Sequence, residues 1–152
     1  MPRFRTAPVL SVLLLIASSA TVLGQEPEEA AVRALLQARA DDTNRGDLDA
    51  VMASMASDID WMTIGGELFE GQDAVRAAMR GWIESFQRTH RRVTYPPDSV
   101  SVQILSGDFA ATDVAVVWVD DTNRPVGRER LFYLFERQPQ GWVLRKVRNT
   151  TP

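Results

Sequence analysis

The chain has 152 residues, a net charge of −3 at pH 7 and no cysteine. The lack of cysteine excludes disulfides, a thiol nucleophile and thiolate metal sites, and the acidic balance argues against a nucleic acid as partner. A chain of this length has room for one hydrophobic core.

The first predicted element is an export signal. Arg3 and Arg5 precede an apolar stretch over residues 9–23, whose strongly apolar part, residues 10–16, is followed by small residues. This arrangement is typical of a secretory signal peptide. We expect cleavage after Gly24, with Ala20 as the alternative, and a single domain over residues 25–152. The less favoured alternative is an uncleaved anchor, because the run is shorter than the roughly 20 apolar residues that span a bilayer. The predicted location is secreted or periplasmic, with no stable membrane insertion after cleavage.

Composition adds two expectations about the exported domain. Residues 1–24 contain two arginines and no acidic residue, so their removal leaves a net charge of −5. Lys146 is the only lysine in the chain, and we interpret this bias towards arginine as codon usage in a GC-rich bacterial genome.

Three helices are predicted in the first half of the domain. Apolar residues recur at helical spacing over residues 27–43,. Residues 44–47 (Asn-Arg-Gly-Asp) end this helix, and Asp47 caps a short second helix. A strand is predicted over residues 58–64. The third helix, residues 72–86, has the strongest periodicity in the chain, and its apolar stripe is expected to face the core.

The second half is predicted to be a sheet. Alternation of apolar and polar residues indicates strands over residues 100–104, 109–120, 128–137 and 142–149,. Short connections join them, so we expect mostly antiparallel pairing. Helices followed by such a meander predict the α+β class.

Two of these strands are apolar on both faces, over residues 114–119 and 131–135. An antiparallel sheet usually exposes one face to water. The pattern therefore predicts that a second copy of the chain covers the outer face, giving a homodimer.

Five short motifs, in this order and spacing, resemble one known family. They are residues 44–47 (Asn-Arg-Gly-Asp), 58–62 (Asp-Ile-Asp-Trp-Met), 71–75 (Gly-Gln-Asp-Ala-Val), 107–110 (Gly-Asp-Phe-Ala) and the segment 141–150. Residues 28–152 resemble the SnoaL-like branch of the nuclear transport factor 2-like superfamily, in particular secreted members related to the SgcJ/EcaC group. The resemblance implies a cone-shaped, curved, mostly antiparallel sheet wrapped around a long helix, often dimeric. Relatives include isomerases, polyketide cyclases, dehydratases and members with no demonstrated reaction, so the resemblance predicts a cavity better than a chemistry.

Large apolar side chains are the candidates for lining that cavity and binding a small, largely apolar molecule. They are Trp61, Met79, Trp82, Phe86, Trp118 and Tyr133.

Two carboxylates are candidates for catalysis of the isomerase or cyclase type, which needs an acid or base with a shifted pKa. Asp60 is flanked by Ile59 and Trp61 and is expected to reach the cavity mouth, or else to be a solvated strand start. Asp113 lies in an apolar strand, where it either acts in catalysis or pairs with an arginine on a neighbouring strand.

Other ionisable residues are expected to be structural. Glu129 and Glu136 stand beside arginines and are interpreted as cross-strand charge pairs,. His90 is the only histidine, which disfavours a metal site, and no cofactor is predicted. Three functions remain open: a secreted binding module, an isomerase-, cyclase- or dehydratase-like enzyme, and a dimeric interaction module with a filled cone.

Overall fold

The computed structural model of the protein describes residues 25–150. The predicted signal peptide, residues 1–24, lies outside the described residues. The helices are α1 (Gln25–Arg45), α2 (Leu48–Ala53) and α3 (Gly71–Arg88). The strands are β1 (Met55–Met62), β2 (Leu68–Glu70), β3 (Arg92–Thr94), β4 (Val100–Ile104), β5 (Phe109–Val119), β6 (Pro125–Gln138) and β7 (Gly141–Thr150). None of the helices within residues 25–150 has both the length and the apolar character needed to cross a membrane.

The seven strands form one mixed sheet in the order β2-β1-β7-β6-β5-β3, with β4 also paired to β5. All pairs are antiparallel except β1 with β7, which is parallel. Register shifts interrupt the ladder at residues 118–119 of β5 and 134–135 of β6, and such irregularities bend a sheet. The α+β class and the curved sheet predicted from the sequence are confirmed.

A tight joint connects the first two helices, as the sequence predicts. Gly46 adopts a φ of 76°, a conformation that glycine enters without steric cost. The Asp47 carboxylate then accepts a hydrogen bond of 3.0 Å from the amide of Ala50. This joint turns the chain so that α1 and α2 both lie against the sheet.

The core lies between the helices and the concave face of the sheet. From α3 it receives Val75, Met79 and Ile83, which are buried. Phe135 of β6 and Leu144 of β7 have no exposed surface and pack opposite one another across the ladder. The stripe of α3 thus faces the core, as its periodicity predicts.

The outer face of the sheet carries an ion pair as well as apolar side chains. Asp113 pairs there with Arg130 across β5 and β6, and Val117 and Val119 are each only 7% exposed within a single chain. Phe132 is a large apolar residue on this face, and 41% of its surface is exposed. The Asp113–Arg130 pair lies next to the apolar segments 114–119 and 131–135, so charge and apolar surface share this face. That a second copy of the chain covers the face stays a prediction.

Candidate functional site

A cavity of about 290 Å³ opens between the helices and the concave face of the sheet. Its volume is at the lower end of the range of roughly 300–1,000 Å³ in which small ligands bind. Aromatic side chains make up much of its wall: Trp61, Trp82, Phe86, Tyr95, Trp118 and Tyr133.

Two aromatic clusters hold this wall in place. The Trp82 ring of α3 lies 5.1 Å from the Trp61 ring and 5.9 Å from the Phe69 ring, measured between centroids. On the next turn of α3, the Phe86 ring lies 5.9 Å from that of Trp118. Such pairs favour tilted and edge-on geometries, so the cavity has a defined shape.

Trp118 has room only because residue 127 is a glycine. A Cβ built on Gly127 would lie 2.6 Å from the Trp118 ring, and the two residues are paired directly across β5 and β6. The absence of a side chain at Gly127 therefore lets the indole lie against the opposite strand and form part of the wall.

All six residues predicted to bind a ligand lie in the cavity wall: Trp61, Met79, Trp82, Phe86, Trp118 and Tyr133. The helical stripe of α3 and the alternation of side chains along β1, β5 and β6 bring them together. That they contact a ligand stays a prediction.

The two predicted catalytic carboxylates, Asp60 and Asp113, lie outside the cavity, on the outer face of the sheet. Asp60 alternates with Trp61, which lines the cavity, so Asp60 faces away from it and bonds with Lys146 (2.7 Å) and Arg148. Asp113 faces outward as well, with its two oxygens 2.7 and 2.8 Å from the guanidinium of Arg130. Neither residue lines the cavity. This placement corrects the expectation that Asp60 reaches the cavity mouth, and for Asp113 it matches the arginine pairing weighed as the alternative.

The outward position also determines the ionisation of Asp60. Burial alone would raise its pKa, but the hydrogen bonds and charges of Arg148 and Lys146 outweigh burial and hold the pKa below its ordinary value,. An aspartate held ionised by two cations is poorly suited to accept a proton.

The carboxylate that does line the cavity is Glu129 of β6. It lies opposite Val116 in the ladder, and its Oε2 accepts a hydrogen bond of 2.9 Å from Nδ2 of Asn149. The Oδ1 atom of Asn149 in turn accepts one of 2.9 Å from Nε1 of Trp61. Burial raises the pKa of Glu129 above its ordinary value, and the bond from Asn149 opposes this only in part.

The interpretation of Glu129 as a charge pair is wrong, whereas Glu136 does pair with Arg145 at 2.5 Å. The neighbouring Arg128 and Arg130 suggested an ion pair for Glu129. The alternation of side chains along a strand predicts its position better, because it places Glu129 on the same face as Leu131 and Tyr133, both of which line the cavity.

A second polar group in the cavity consists of two tyrosines. The hydroxyl oxygens of Tyr95 and Tyr133 are 3.2 Å apart, and Tyr133 is 1% exposed. Burial raises the pKa of Tyr133 well above its ordinary value, while the charge of Arg39 opposes the rise. The Tyr133 hydroxyl therefore stays protonated at neutral pH and serves as a hydrogen-bond donor.

Arg39 of α1 lies in the same wall and is 3% exposed. Its Nη1 donates to the carbonyl oxygen of Val51 (3.1 Å) and to Oγ of Ser54 (2.7 Å). Arg39 could not be recognised as a cavity residue from the sequence, because an arginine in a helix with charges of both signs gives no signal of its own. Its position after Leu36 and before Ala40, two residues of the buried stripe, is the only indication.

A family model now identifies this architecture. The model of the SnoaL-like domain matches residues 32–147. The chain belongs to the SnoaL-like domain family. The resemblance inferred from the sequence motifs is confirmed.

Solved structures similar to this SnoaL-like chain support the fold. A nuclear transport factor 2-like protein of Novosphingobium aromaticivorans with a cystatin-like fold is 20% identical, with a TM-score of 0.74 over 87% of this chain and 86% of that one. A proposed dehydratase of the same superfamily from Streptomyces avermitilis is 16% identical, with a TM-score of 0.70 over 84% and 98%. A proposed aromatic ring hydroxylase from N. aromaticivorans is 21% identical, with a TM-score of 0.64 over 82% and 89%. At these identities the likeness establishes the fold alone.

No curated protein matches the chain in sequence. The chemistry of this SnoaL-like domain therefore has to be argued from its own cavity. That cavity combines aromatic walls, one carboxylate with a raised pKa, and the donors of Arg39, Tyr95 and Tyr133.

Proposed function

We propose that the protein binds a small, largely apolar molecule in the cavity between α3 and the sheet. The observation that carries the proposal is a mainly aromatic wall that also contains a hydrogen-bonded carboxylate, Glu129 with Asn149. Apolar walls supply most of the binding free energy in such sites, and a few polar groups fix orientation.

Tryptophan fluorescence tests this proposal, because three of the four tryptophans line the cavity. Titration with an apolar aromatic probe such as 2-naphthol is expected to quench the emission in a saturable way. Val116→Phe fills the cavity and should weaken binding at least tenfold. The control Leu105→Ser changes an exposed residue outside the wall and should bind normally. Equal affinity of all three proteins would refute binding in the cavity.

The natural ligand is best sought by native mass spectrometry of protein purified from its own host. We propose that the protein is exported and that residues 1–24 are removed. The mass of the recovered chain tests both points, since cleavage after Gly24 or Ala20 gives two distinct values. Recovery of the uncleaved chain from the cell membrane would support the anchor instead.

A second candidate function is an enzyme that moves a proton, as an isomerase, cyclase or dehydratase does. Glu129 favours it, because a carboxylate with a raised pKa inside an apolar cavity is suited to general acid–base chemistry,. The Tyr95 and Tyr133 hydroxyls are donors of the kind that stabilise a developing oxyanion,.

Deuterium exchange beside the carbonyl of 2-tetralone, followed by NMR, tests the enzyme. The rate should rise with pH as Glu129 ionises, and Glu129→Gln should lower it by a factor of about 10²–10⁴, the usual contribution of a general base. Asp60→Asn is the matched control on the opposite face of the sheet. Exchange no faster than in buffer would exclude this activity for the ketone.

We also propose that the protein forms a homodimer through the outer face of the sheet. Phe132 supports this, since 41% of a large apolar side chain is exposed there. Sedimentation velocity at micromolar concentration should give a dimer, and Phe132→Asp should give a monomer. A monomeric wild-type protein would remove the proposal and the interaction module that depends on it.

A further inference from the structure

Arg39 is a buried cation without a counter-ion in the described structure. Its side chain lines the cavity and is 3% exposed. Among residues 25–150 no carboxylate lies within ion-pair distance of its guanidinium. Arginine is almost never fully buried unless it is paired, so this site lacks a partner.

The bonds that Arg39 does make fix its position and leave donor capacity unused. One nitrogen, Nη1, is held by the Val51 carbonyl oxygen and the Ser54 hydroxyl. The Nε donor is buried and has no partner among the described residues. An unsatisfied donor on a buried cation costs more than one on a neutral group.

Two tyrosine hydroxyls line the same cavity as Arg39. When one hydroxyl of the Tyr95–Tyr133 pair donates to the other, the proton of the accepting hydroxyl remains free for a third group. Arg39, Tyr95 and Tyr133 all line the same cavity, so one small ligand can reach the guanidinium and this hydroxyl pair. Thr43, one turn after Arg39 on α1, also lines the cavity.

We propose that the ligand is a small apolar carboxylic acid, whose carboxylate binds at Arg39 and the Tyr95–Tyr133 hydroxyls while its apolar body lies between the aromatic walls. A carboxylate fits better than a phosphate, because one guanidinium matches a single negative charge and Glu129 opposes further charge in the same cavity. This inference rests on the proposed binding function and names its ligand class.

Two probes of nearly the same shape, one with a carboxylate and one without charge, test whether the negative charge of the ligand contributes to binding. The affinities of 2-naphthoate and its neutral counterpart 2-naphthamide are measured by tryptophan quenching at pH 7.5. The wild-type protein is expected to bind the acid at least tenfold more tightly than the amide. Arg39→Gln should remove this preference while still binding the amide, and Arg39→Lys should restore part of it.

Arg33→Gln is the matched control, since it removes one cation from the exposed side of the same helix. It should keep the full preference for the acid. Should Arg39→Gln fail to fold by circular dichroism, the wild-type, Arg33→Gln and Arg39→Lys proteins still decide the question.

The outcomes separate the two proposals. Equal affinity of the wild-type protein for acid and amide overturns the carboxylate inference and leaves cavity binding in place. A preference for the acid that survives Arg39→Gln overturns the assignment to Arg39. Absence of binding by both probes counts against the cavity function and the inference together.

Discussion

Glu129 has a raised pKa because its carboxylate is partly buried, and the single hydrogen bond from Asn149 offsets this rise only in part. A raised pKa in the folded state means that the folded protein holds the proton more tightly than the unfolded chain does. This side chain therefore favours the folded state at low pH, and its contribution is lost as the pH rises through the folded-state pKa.

We predict that Glu129→Gln gains stability relative to the wild-type protein as the pH rises above 4.5, the ordinary pKa of the group. Glutamine keeps the shape and an acceptor for Asn149 but has no charge to bury. Urea unfolding of both proteins between pH 4 and pH 8 measures the difference. A difference that does not change with pH would contradict the burial of a titrating carboxylate.

The contribution of Asp60 to stability depends on pH in the opposite direction. Its pKa is lowered by Arg148 and Lys146 despite burial, so its contribution to stability is present above the ordinary pKa of 3.8 and is lost as the pH falls,. Its side chain is 19% exposed, whereas that of Asp113 in the pair with Arg130 is 45% exposed.

We predict that Asp60→Asn lowers the free energy of unfolding at pH 7 by about 1 kcal/mol, after allowance for solvent screening. Asp113→Asn should cost less, because water screens the exposed pair more strongly. Denaturant unfolding at pH 7 and pH 3 compares them, and the loss for Asp60→Asn should shrink at pH 3. The reverse order of the two losses would contradict the account.

At the scale of elements, α3 contains a replaceable glycine. Gly81 lies within the helix on an exposed position, and a Cβ there would meet nothing within 4 Å. We predict that Gly81→Ala stabilises the protein by about 0.5–1 kcal/mol, the helix penalty of glycine. The control Gly71→Ala should destabilise, since Gly71 has a φ of 80°. Thermal unfolding measures both, and a loss of stability in Gly81→Ala would be the contrary result.

The sequence predicted the long elements well and the short ones poorly. The helices α1 and α3 and the strands β5, β6 and β7 repeat their periods often enough to be recognised. β2 and β3 have three residues each, too few to show a period, and their pairing depends on distant partners. The start of β1 at Met55 and its parallel pairing with β7 could not be inferred from local pattern either.

The candidate site was predicted unevenly for a related reason. Its apolar wall follows from helical and strand periodicity, which the sequence displays directly. Its polar part depends on which charged side chains turn inward, and Arg39 and Glu129 do so between residues of the apolar stripe. Asp60 and Asp113 also have apolar neighbours in sequence but face outward. The types of the neighbouring residues therefore could not distinguish charged residues that line the cavity from those on the outer face.

At the scale of the whole molecule, β7 connects two halves of the sheet. It lies between β1 and β6, and its Asn149 is bonded to both Trp61 and Glu129. We predict that deletion of residues 141–152 abolishes the cooperative unfolding transition, while deletion of residues 151–152 alone preserves it. Urea titration followed by circular dichroism measures both, and a cooperative transition in the longer deletion would contradict this role.

The central place of β7 bears on the order of biosynthesis. The ribosome synthesises β7 after every other strand of the sheet. A nascent chain therefore contains β1 and β6 before it contains the strand that pairs with both of them. Until residues 141–150 emerge, the polypeptide stays unable to complete its tertiary structure. Such a delay fits the export that we propose, because a domain that folds too early could not pass through a translocation channel.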